Sequence, residues 1–193
     1  MSAALLGRVW GPISRYAYHP DPLVRAANTI ALVVVFNQPF YPLYLYWVVS
    51  PNFEPAYWTF LSTPFFLAVP MVSRIDTIAG RGLLPVAGIG NTMLSAKAFG
   101  DESGVELFLL PIALIAFVVF RPRERLHSFV VAGLSLAVYM VMHGGYGEPF
   151  HRFTAEEYAS FIRLNATSVG MLTALVGILA SNMIAERSDV PPK

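Results

Sequence analysis

Six stretches without acidic or basic side chains follow one another along this chain, and they constrain its fold more than any other feature. A helix needs about 20 mainly apolar residues to cross roughly 30 Å of hydrocarbon. Four stretches qualify outright, and the two shorter ones, residues 82–96 and 107–120, reach that length with the polar residues at their ends. The four longer stretches are residues 26–53, 55–73, 126–147 and 164–185. The sequence therefore predicts an all-α integral membrane protein rather than a soluble enzyme.

The predicted fold is a six-transmembrane-helix bundle that forms a single membrane domain over residues 1–193. The helices are expected near residues 27–49, 56–73, 76–98, 104–120, 126–145 and 155–185. Residues 26–185 form the bundle, residues 1–25 a cytoplasmic or interfacial segment, and residues 186–193 a cytoplasmic tail. Within the first segment, residues 2–18 are expected to form an interfacial helix that is broken at Gly11-Pro12.

The basic residues outside the spans predict the orientation. With the N-terminus inside, ten of the 13 Lys and Arg residues lie on the cytoplasmic side, and the outer three are Lys97, Arg152 and Arg163. This positive-inside bias predicts an N-in/C-in, multi-pass membrane protein. The formal net charge is only +1, so no basic field indicates a nucleic-acid partner. The absence of cysteine excludes disulfides, thiolate metal sites and iron–sulfur clusters.

Polar side chains inside the predicted spans indicate where function lies, because hydrocarbon disfavours them. Those in the middle or outer half of the bundle are expected to converge on one polar pocket with aromatic walls, which suits a small molecule. The candidate ligand-binding residues are Asn37, Gln38, Tyr41, Asn91, Ser95, Glu106, His143, Arg163 and Asn165. For the amides around Pro39, local repair of a proline kink is the alternative interpretation.

Two segments on the predicted outer side have the pattern of a capping box, in which the side chains at the ends of the pattern bond each other's backbone. They are Ser103 with Glu106, and Thr154 with Glu157. A third feature of this region is Arg163, which is expected about 12 Å inside its helix. A charge at that depth needs a partner, and Glu106, Glu157 or an anionic ligand are the candidates.

Resident chemical groups have little support in the sequence. A haem between helices needs axial histidines that face each other at one depth. His127 and His143 lie on one predicted span, about 24 Å apart, so each needs a partner on another helix. At the inner rim, Arg74, Asp76 and Arg81 are expected to form a solvated cluster. No cofactor is firmly implied, and neither a nucleophile motif nor a phosphate-binding loop is present.

Two further segments resemble known signalling proteins. The segment Asn37-Gln-Pro-Phe-Tyr-Pro-Leu-Tyr-Leu-Tyr-Trp47, with Ser50-Pro-Asn-Phe-Glu-Pro55, resembles the first hairpin of six-helix sensory domains in bacterial quorum-sensing histidine kinases. Phe99-Gly-Asp-Glu-Ser-Gly-Val-Glu-Leu-Phe-Leu-Leu-Pro111, with Phe120-Arg-Pro-Arg-Glu-Arg125, is similar to six-helix anchors that precede bacterial adenylyl cyclase catalytic domains. The resemblance implies an N-in/C-in bundle of the bacterial inner membrane that senses a small lipophilic or periplasmic ligand and signals to a cytoplasmic kinase or cyclase.

The sequence thus favours a membrane-embedded receptor for a small lipophilic or amphiphilic ligand. Its expected partners are the lipid bilayer, the ligand, and a second copy or a cytoplasmic signalling protein. No catalysis is expected from the chain by itself, unless a catalytic domain follows it in the native protein. Two alternatives stay open: an electron-transfer subunit that binds haem or quinone, and a small transporter or structural subunit of a membrane complex.

Overall fold

The structure, a computed structural model, describes residues 11–188 and their side chains through residue 185. Over these residues the chain is helical and contains no β-strand, which confirms the all-α fold class. Residues 11–17 belong to α1, and the other α-helices are α2 (Pro22–Asn37), α3 (Tyr41–Val48), α4 (Thr63–Ile75), α5 (Thr77–Phe99), α6 (Leu109–Val119), α7 (Arg125–Met142) and α8 (Ala155–Ser188). Short 3₁₀ helices at Gln38–Phe40, Glu54–Ser62, Asp101–Ser103, Val105–Phe108 and Pro122–Glu124 join or extend them.

Acidic caps and one glycine set the helix starts at one end of the bundle. The Asp21 carboxylate accepts the Leu23 amide at 3.0 Å where α2 begins, and Asp76 caps α5 in the same manner. Directly after the Asp76 cap, α5 turns back against α4. A Cβ on Gly80 would lie 2.1 Å from the Ser73 Oγ, so only glycine permits this close approach of the two helices.

Six consecutive helical segments alternate in direction between two ends of the bundle, and they comprise residues 22–48, 54–75, 77–99, 105–119, 122–142 and 155–188. At the end called here the arginine end, Arg121 pairs with Asp21 at 2.5 Å and Arg74 donates to the Tyr16 carbonyl at 3.2 Å. At the other end, called here the distal end, Lys97 donates to the Tyr146 carbonyl at 3.0 Å. The arginine end comprises residues 11–25, 73–81, 119–127 and 180–188, and the distal end comprises residues 48–58, 97–106 and 143–158.

The apolar core lies along the middle of these segments and receives side chains from each of them. Its buried members include Ile30, Phe66, Leu84, Ile112, Val131 and Val176. A second apolar cluster closes the distal end, where the Phe161 ring lies 5.1 Å from Phe99 and 5.0 Å from Phe153. By contrast, only 6% of the most apolar 18-residue stretch of α8 is buried. This helix therefore packs on the bundle along a narrow face.

Within the described residues, three helices are long and apolar enough to cross a membrane. They are Pro22–Val48, Pro122–Met142 and Ala155–Ala185, and a shorter apolar helix spans Val105–Val119. Residues 54–75 and 77–99 are also helical for most of their length, but they are not among the helices that are both long and apolar enough. Proline, glycine and charged residues interrupt their apolar sequence. The helix predicted at residues 2–18 falls partly outside the described residues, and residues 11–17 of it are helical.

The prediction of a solvated inner-rim cluster is wrong for Arg81. Its side chain is fully buried and bonds both Glu124 oxygens, at 2.8 and 3.0 Å, and the Val119 carbonyl at 2.6 Å. The same Glu124 carboxylate accepts the Arg121 amide at 2.9 Å. A buried guanidinium strongly destabilises a fold unless its donors are paired. Here the pairing links α5 to the connection between α6 and α7.

Candidate functional site

The amide of Gln38 forms a buried polar network where α2 gives way to the 3₁₀ turn at Gln38–Phe40. Its Nε2 donates to the Thr59 carbonyl at 3.1 Å and to the Ser62 Oγ at 2.8 Å, while its Oε1 accepts from the Thr63 hydroxyl at 2.7 Å. The Ser62 Oγ also lies 2.8 Å from the Asn91 Oδ1. Two of the predicted site residues, Gln38 and Asn91, are therefore joined through a serine that sequence analysis did not select.

A second polar link connects α3 and α8 to the turn that follows α5. The Tyr41 hydroxyl donates to the Asn165 Oδ1 at 3.2 Å, and the Asn165 Nδ2 donates to the Ser103 carbonyl at 2.9 Å. Asn165 and Ser103 are both fully buried. Asn165 thus uses both ends of its amide to bridge elements that are far apart in the sequence.

The third group, called here the acidic cluster, consists of Asp101, Glu106, His143 and Tyr146 at the distal end. The Glu106 side chain is 5% exposed, and its Oε2 lies 2.6 Å from the His143 Nδ1. The Asp101 Oδ2 accepts the Gly144 amide at 2.9 Å. The cluster therefore ties the turn between α5 and α6 to the segment that follows α7.

Three buried polar atoms of the acidic cluster have no hydrogen-bond partner among the described residues. They are the Asp101 Oδ1, the Glu106 Oε1 and the Tyr146 hydroxyl oxygen. The Tyr146 phenol lies near the Glu106 carboxylate, but the two groups do not meet the geometry of a hydrogen bond. A buried polar atom without a partner costs about 1–3 kcal/mol. Two of the three are carboxylate oxygens, which only accept hydrogen bonds, so a group that supplies donors would satisfy them.

The electrostatics of the cluster follow from this crowding of acidic groups. The hydrogen bond to Glu106, its negative charge and that of Asp101 raise the pKa of His143 above its ordinary value of 6.5. Burial, followed by the charge of Glu106, raises the pKa of Tyr146, so its phenol stays protonated. The cluster therefore combines a phenol donor and a histidine that favours its charged form with the acidic side chains of Asp101 and Glu106.

The remaining three candidates lie apart from these groups. Asn37 is exposed at the end of α2, Ser95 is buried on α5, and Arg163 is exposed on α8, where it donates to the Ser160 hydroxyl at 3.2 Å. The expectation that Arg163 pairs with Glu106 or Glu157 is wrong. Six of the nine candidates thus lie in the three groups described above, rather than in the single pocket expected from the sequence. None of the nine lines the grooves found at the arginine end.

The two capping predictions have opposite outcomes. Thr154 and Glu157 form the expected box at the start of α8, with bonds of 2.7 and 3.3 Å. The box predicted at Ser103 is wrong, because Gly104 takes a left-handed conformation with φ of 71° and Glu106 turns to His143. The importance of Asp101 and Tyr146 was also missed, since both lie in segments that were predicted to connect the spans.

The four histidines contact different parts of the described chain. His19 accepts the Asp21 amide, His127 stacks on Phe120, His143 bonds Glu106, and His151 packs on Phe153. No pair of them faces one another between helices, which does not fit the axial ligation of a haem. Among the described residues, no three His, Asp or Glu side chains are placed to hold a metal ion.

Comparison with known proteins gives one match. No curated protein and no solved structure matches the chain. The sequence profile of the MASE7 family matches residues 15–184, which include all of the helices from α2 to the greater part of α8. Because the match covers most of the chain, the protein belongs to the MASE7 family of membrane-associated sensor domains.

Proposed function

We propose that this sensor domain is a receptor for a small amphiphile, whose donor-bearing head binds the acidic cluster at the distal end. The observation that carries the proposal is the set of three buried polar atoms on Asp101, Glu106 and Tyr146 that have no hydrogen-bond partner in the described part of the chain. A head group with two or more N–H or O–H donors matches the two free carboxylate oxygens. The exposed side of His143, which is 54% exposed, gives the head group a route from the surface.

The membrane arrangement belongs to the same proposal. Six passes with both termini in the cytoplasm are supported by the alternation of the six helical segments between the two ends. They are also supported by the ten-to-three distribution of basic residues, and the arginine end is then cytoplasmic. In this arrangement residues 26–185 form a single domain in the bacterial inner membrane, and the acidic cluster lies near the outer surface.

The link from the cluster to α8 gives the signal a structural route. Ser103 lies between Asp101 and Glu106 in the sequence, and its carbonyl accepts the Asn165 amide of α8 at 2.9 Å. The Tyr158 hydroxyl of α8 also donates to the Phe99 carbonyl at 3.1 Å. A ligand that shifts residues 99–106 therefore acts on α8 through two hydrogen bonds, provided that it binds two packings with different affinity.

The broadly exposed α8 is the part through which a partner would receive the signal. Only 6% of its most apolar stretch is buried in the bundle, and the helix extends to Ser188 at the arginine end. A second copy of the domain or a cytoplasmic signalling protein is the expected partner. Small residues on this exposed surface, such as Gly170 and Gly177, permit a close approach of another helix.

A thermal-shift experiment on the domain in lipid nanodiscs tests the ligand class. Decylamine carries three donors on a ten-carbon chain, and decyl methyl ether has a similar chain with none. We expect decylamine to raise the Tm and the ether to leave it unchanged, because binding to the folded state alone stabilises that state. Equal shifts from both compounds, or none from decylamine, would contradict the proposal.

Matched variants locate the site in the same assay. Glu106→Gln and Tyr146→Phe each alter one member of the cluster, and we expect each to reduce the Tm shift at least threefold. Arg163→Gln changes an exposed charge on α8 whose described contact is Ser160, so it serves as the control and should keep the full shift. A full shift in both cluster variants would place the binding elsewhere.

A further inference from the structure

A groove at the arginine end combines apolar walls with two arginines. It lies between the end of α6, the start of α7 and the end of α8, and it has a volume of about 590 Å³. Its walls include the apolar side chains of Phe117, Val118, Phe129, Met183 and Ile184. Arg121 and Arg125 line the same groove. The groove is therefore amphipathic, and its polar side is basic.

The charges of these two arginines are only partly compensated by the protein. Arg121 pairs with Asp21 at 2.5 Å and its side chain remains 49% exposed. The Arg125 side chain is exposed and makes neither a hydrogen bond nor an ion pair with any residue in the described part of the chain. A guanidinium presents planar donors that match the oxygens of a phosphate. The groove thus offers an anion site directly beside an apolar surface.

We propose that this groove binds one anionic phospholipid, with its phosphate on Arg121 and Arg125 and an acyl chain along Phe117 and Phe129. The choice of a lipid over a free phosphate rests on the apolar walls, which only a chain-bearing ligand covers. Basic pockets between helices on the cytoplasmic side are suited to anionic head groups. The assignment to the cytoplasmic leaflet rests on the proposed topology, whereas the binding itself is independent of the acidic cluster.

Native mass spectrometry of the detergent-purified domain tests the proposal with two lipids of identical chains. We expect one molecule of phosphatidylglycerol to be retained, and phosphatidylcholine to be lost under the same conditions. Arg125→Gln should weaken phosphatidylglycerol binding about fivefold, the effect of one basic residue near an anionic lipid. Glycerol 3-phosphate, which has the anion without chains, should not displace the lipid.

Three variants separate this groove from general basic attraction. Arg123→Gln removes the same charge two positions earlier in the sequence, but Arg123 does not line the groove, so binding should be unchanged. Ala180→Phe fills the groove without altering its charge and should weaken binding as Arg125→Gln does. Glu106→Gln should leave lipid binding intact, which keeps this result separate from the proposed receptor site.

Three results would overturn the proposal. One is equal retention of phosphatidylcholine, and another is an equal loss of lipid in the Arg123 and Arg125 variants. The third is full binding in Ala180→Phe. Because Arg125 and Arg123 are both exposed, neither substitution removes a packed side chain, and a thermal unfolding scan of each variant confirms that it is folded.

Discussion

The Glu106 Oε2 and the His143 Nδ1 lie 2.6 Å apart at the distal end, although 37 positions separate the two residues in the sequence. This contact closes the acidic cluster and holds the turn between α5 and α6 against the end of α7. It also makes the distal end sensitive to proton concentration, since histidine is the side chain that titrates near neutral pH.

The Glu106–His143 pair predicts a pH dependence of stability. Because the pKa of His143 is raised in the folded state, the contribution of the pair is complete below pH 6.5 and is lost as the pH rises through the raised pKa. We expect the Tm difference between the native chain and His143→Gln to shrink between pH 6 and pH 9. His127→Gln, at the arginine end, is the control. A Tm difference that grows with pH would contradict the assignment.

The buried ion pair of Arg81 predicts a large loss of stability when its partner is neutralised. Glu124→Gln leaves a fully buried guanidinium without its counter-charge, so we expect the free energy of unfolding to fall by about 3 kcal/mol. Arg123→Gln, which alters an exposed charge in the same connection, should change it by less than about 0.5 kcal/mol. Denaturant unfolding in mixed micelles measures both.

A double variant distinguishes the ion pair from simple crowding at that position. Arg81→Met with Glu124→Leu removes both charges together, so it should be more stable than Glu124→Leu alone. If the two variants unfold at the same denaturant concentration, the cost lies in packing rather than in the unpaired charge.

Two glycines of α5 predict opposite responses to alanine. In Gly80→Ala the new Cβ would lie 2.1 Å from the Ser73 Oγ and 2.5 Å from the Ser73 backbone, so we expect destabilisation of about 3 kcal/mol. Gly90 has nothing within 4 Å, and alanine there should be neutral or stabilise the helix by up to about 1 kcal/mol. Comparable losses of unfolding free energy in the two variants would show that the α4–α5 contact is not what requires Gly80.

Asn165 predicts a separation of binding from transmission. Asn165→Leu removes the bond to the Ser103 carbonyl but leaves the acidic cluster in place. We expect the decylamine-induced Tm shift to be reduced by less than half, while any ligand-induced change in a spin-label distance at the end of α8 disappears. Thr167→Leu, whose hydroxyl donates within α8 to the Arg163 carbonyl, is the control. An unchanged distance response in Asn165→Leu would reject this route.

The sequence predicted the helices well because their signals are local. Charge-free runs located the helical segments, and Thr154 with Glu157 formed the expected cap, since both bonds of a capping box lie within three residues. The same rule failed at Glu106. There a left-handed glycine and a partner that directly follows α7 outweighed the local bond. A partner so far away in the sequence leaves no signal in the local pattern.

The candidate site was only partly predictable for the same physical reason. Depth along a helix can be counted, so Gln38, Asn91, Glu106 and His143 were all selected. Rotation about the helix axis cannot be counted, so their division into separate groups did not emerge from the sequence. Arg81 was taken for a solvated residue because its partner, Glu124, lies 43 positions away on another connection.

Photo-crosslinking tests the central claim of a receptor site at the acidic cluster most directly. A decylamine analogue with a diazirine next to its amine would be activated on the domain in nanodiscs, and the labelled peptides identified by mass spectrometry. The account predicts labels concentrated in residues 97–108 and 139–150, lost on adding excess decylamine and absent in Glu106→Gln. Labels spread along the exposed surface of α8, insensitive to competitor, would contradict it.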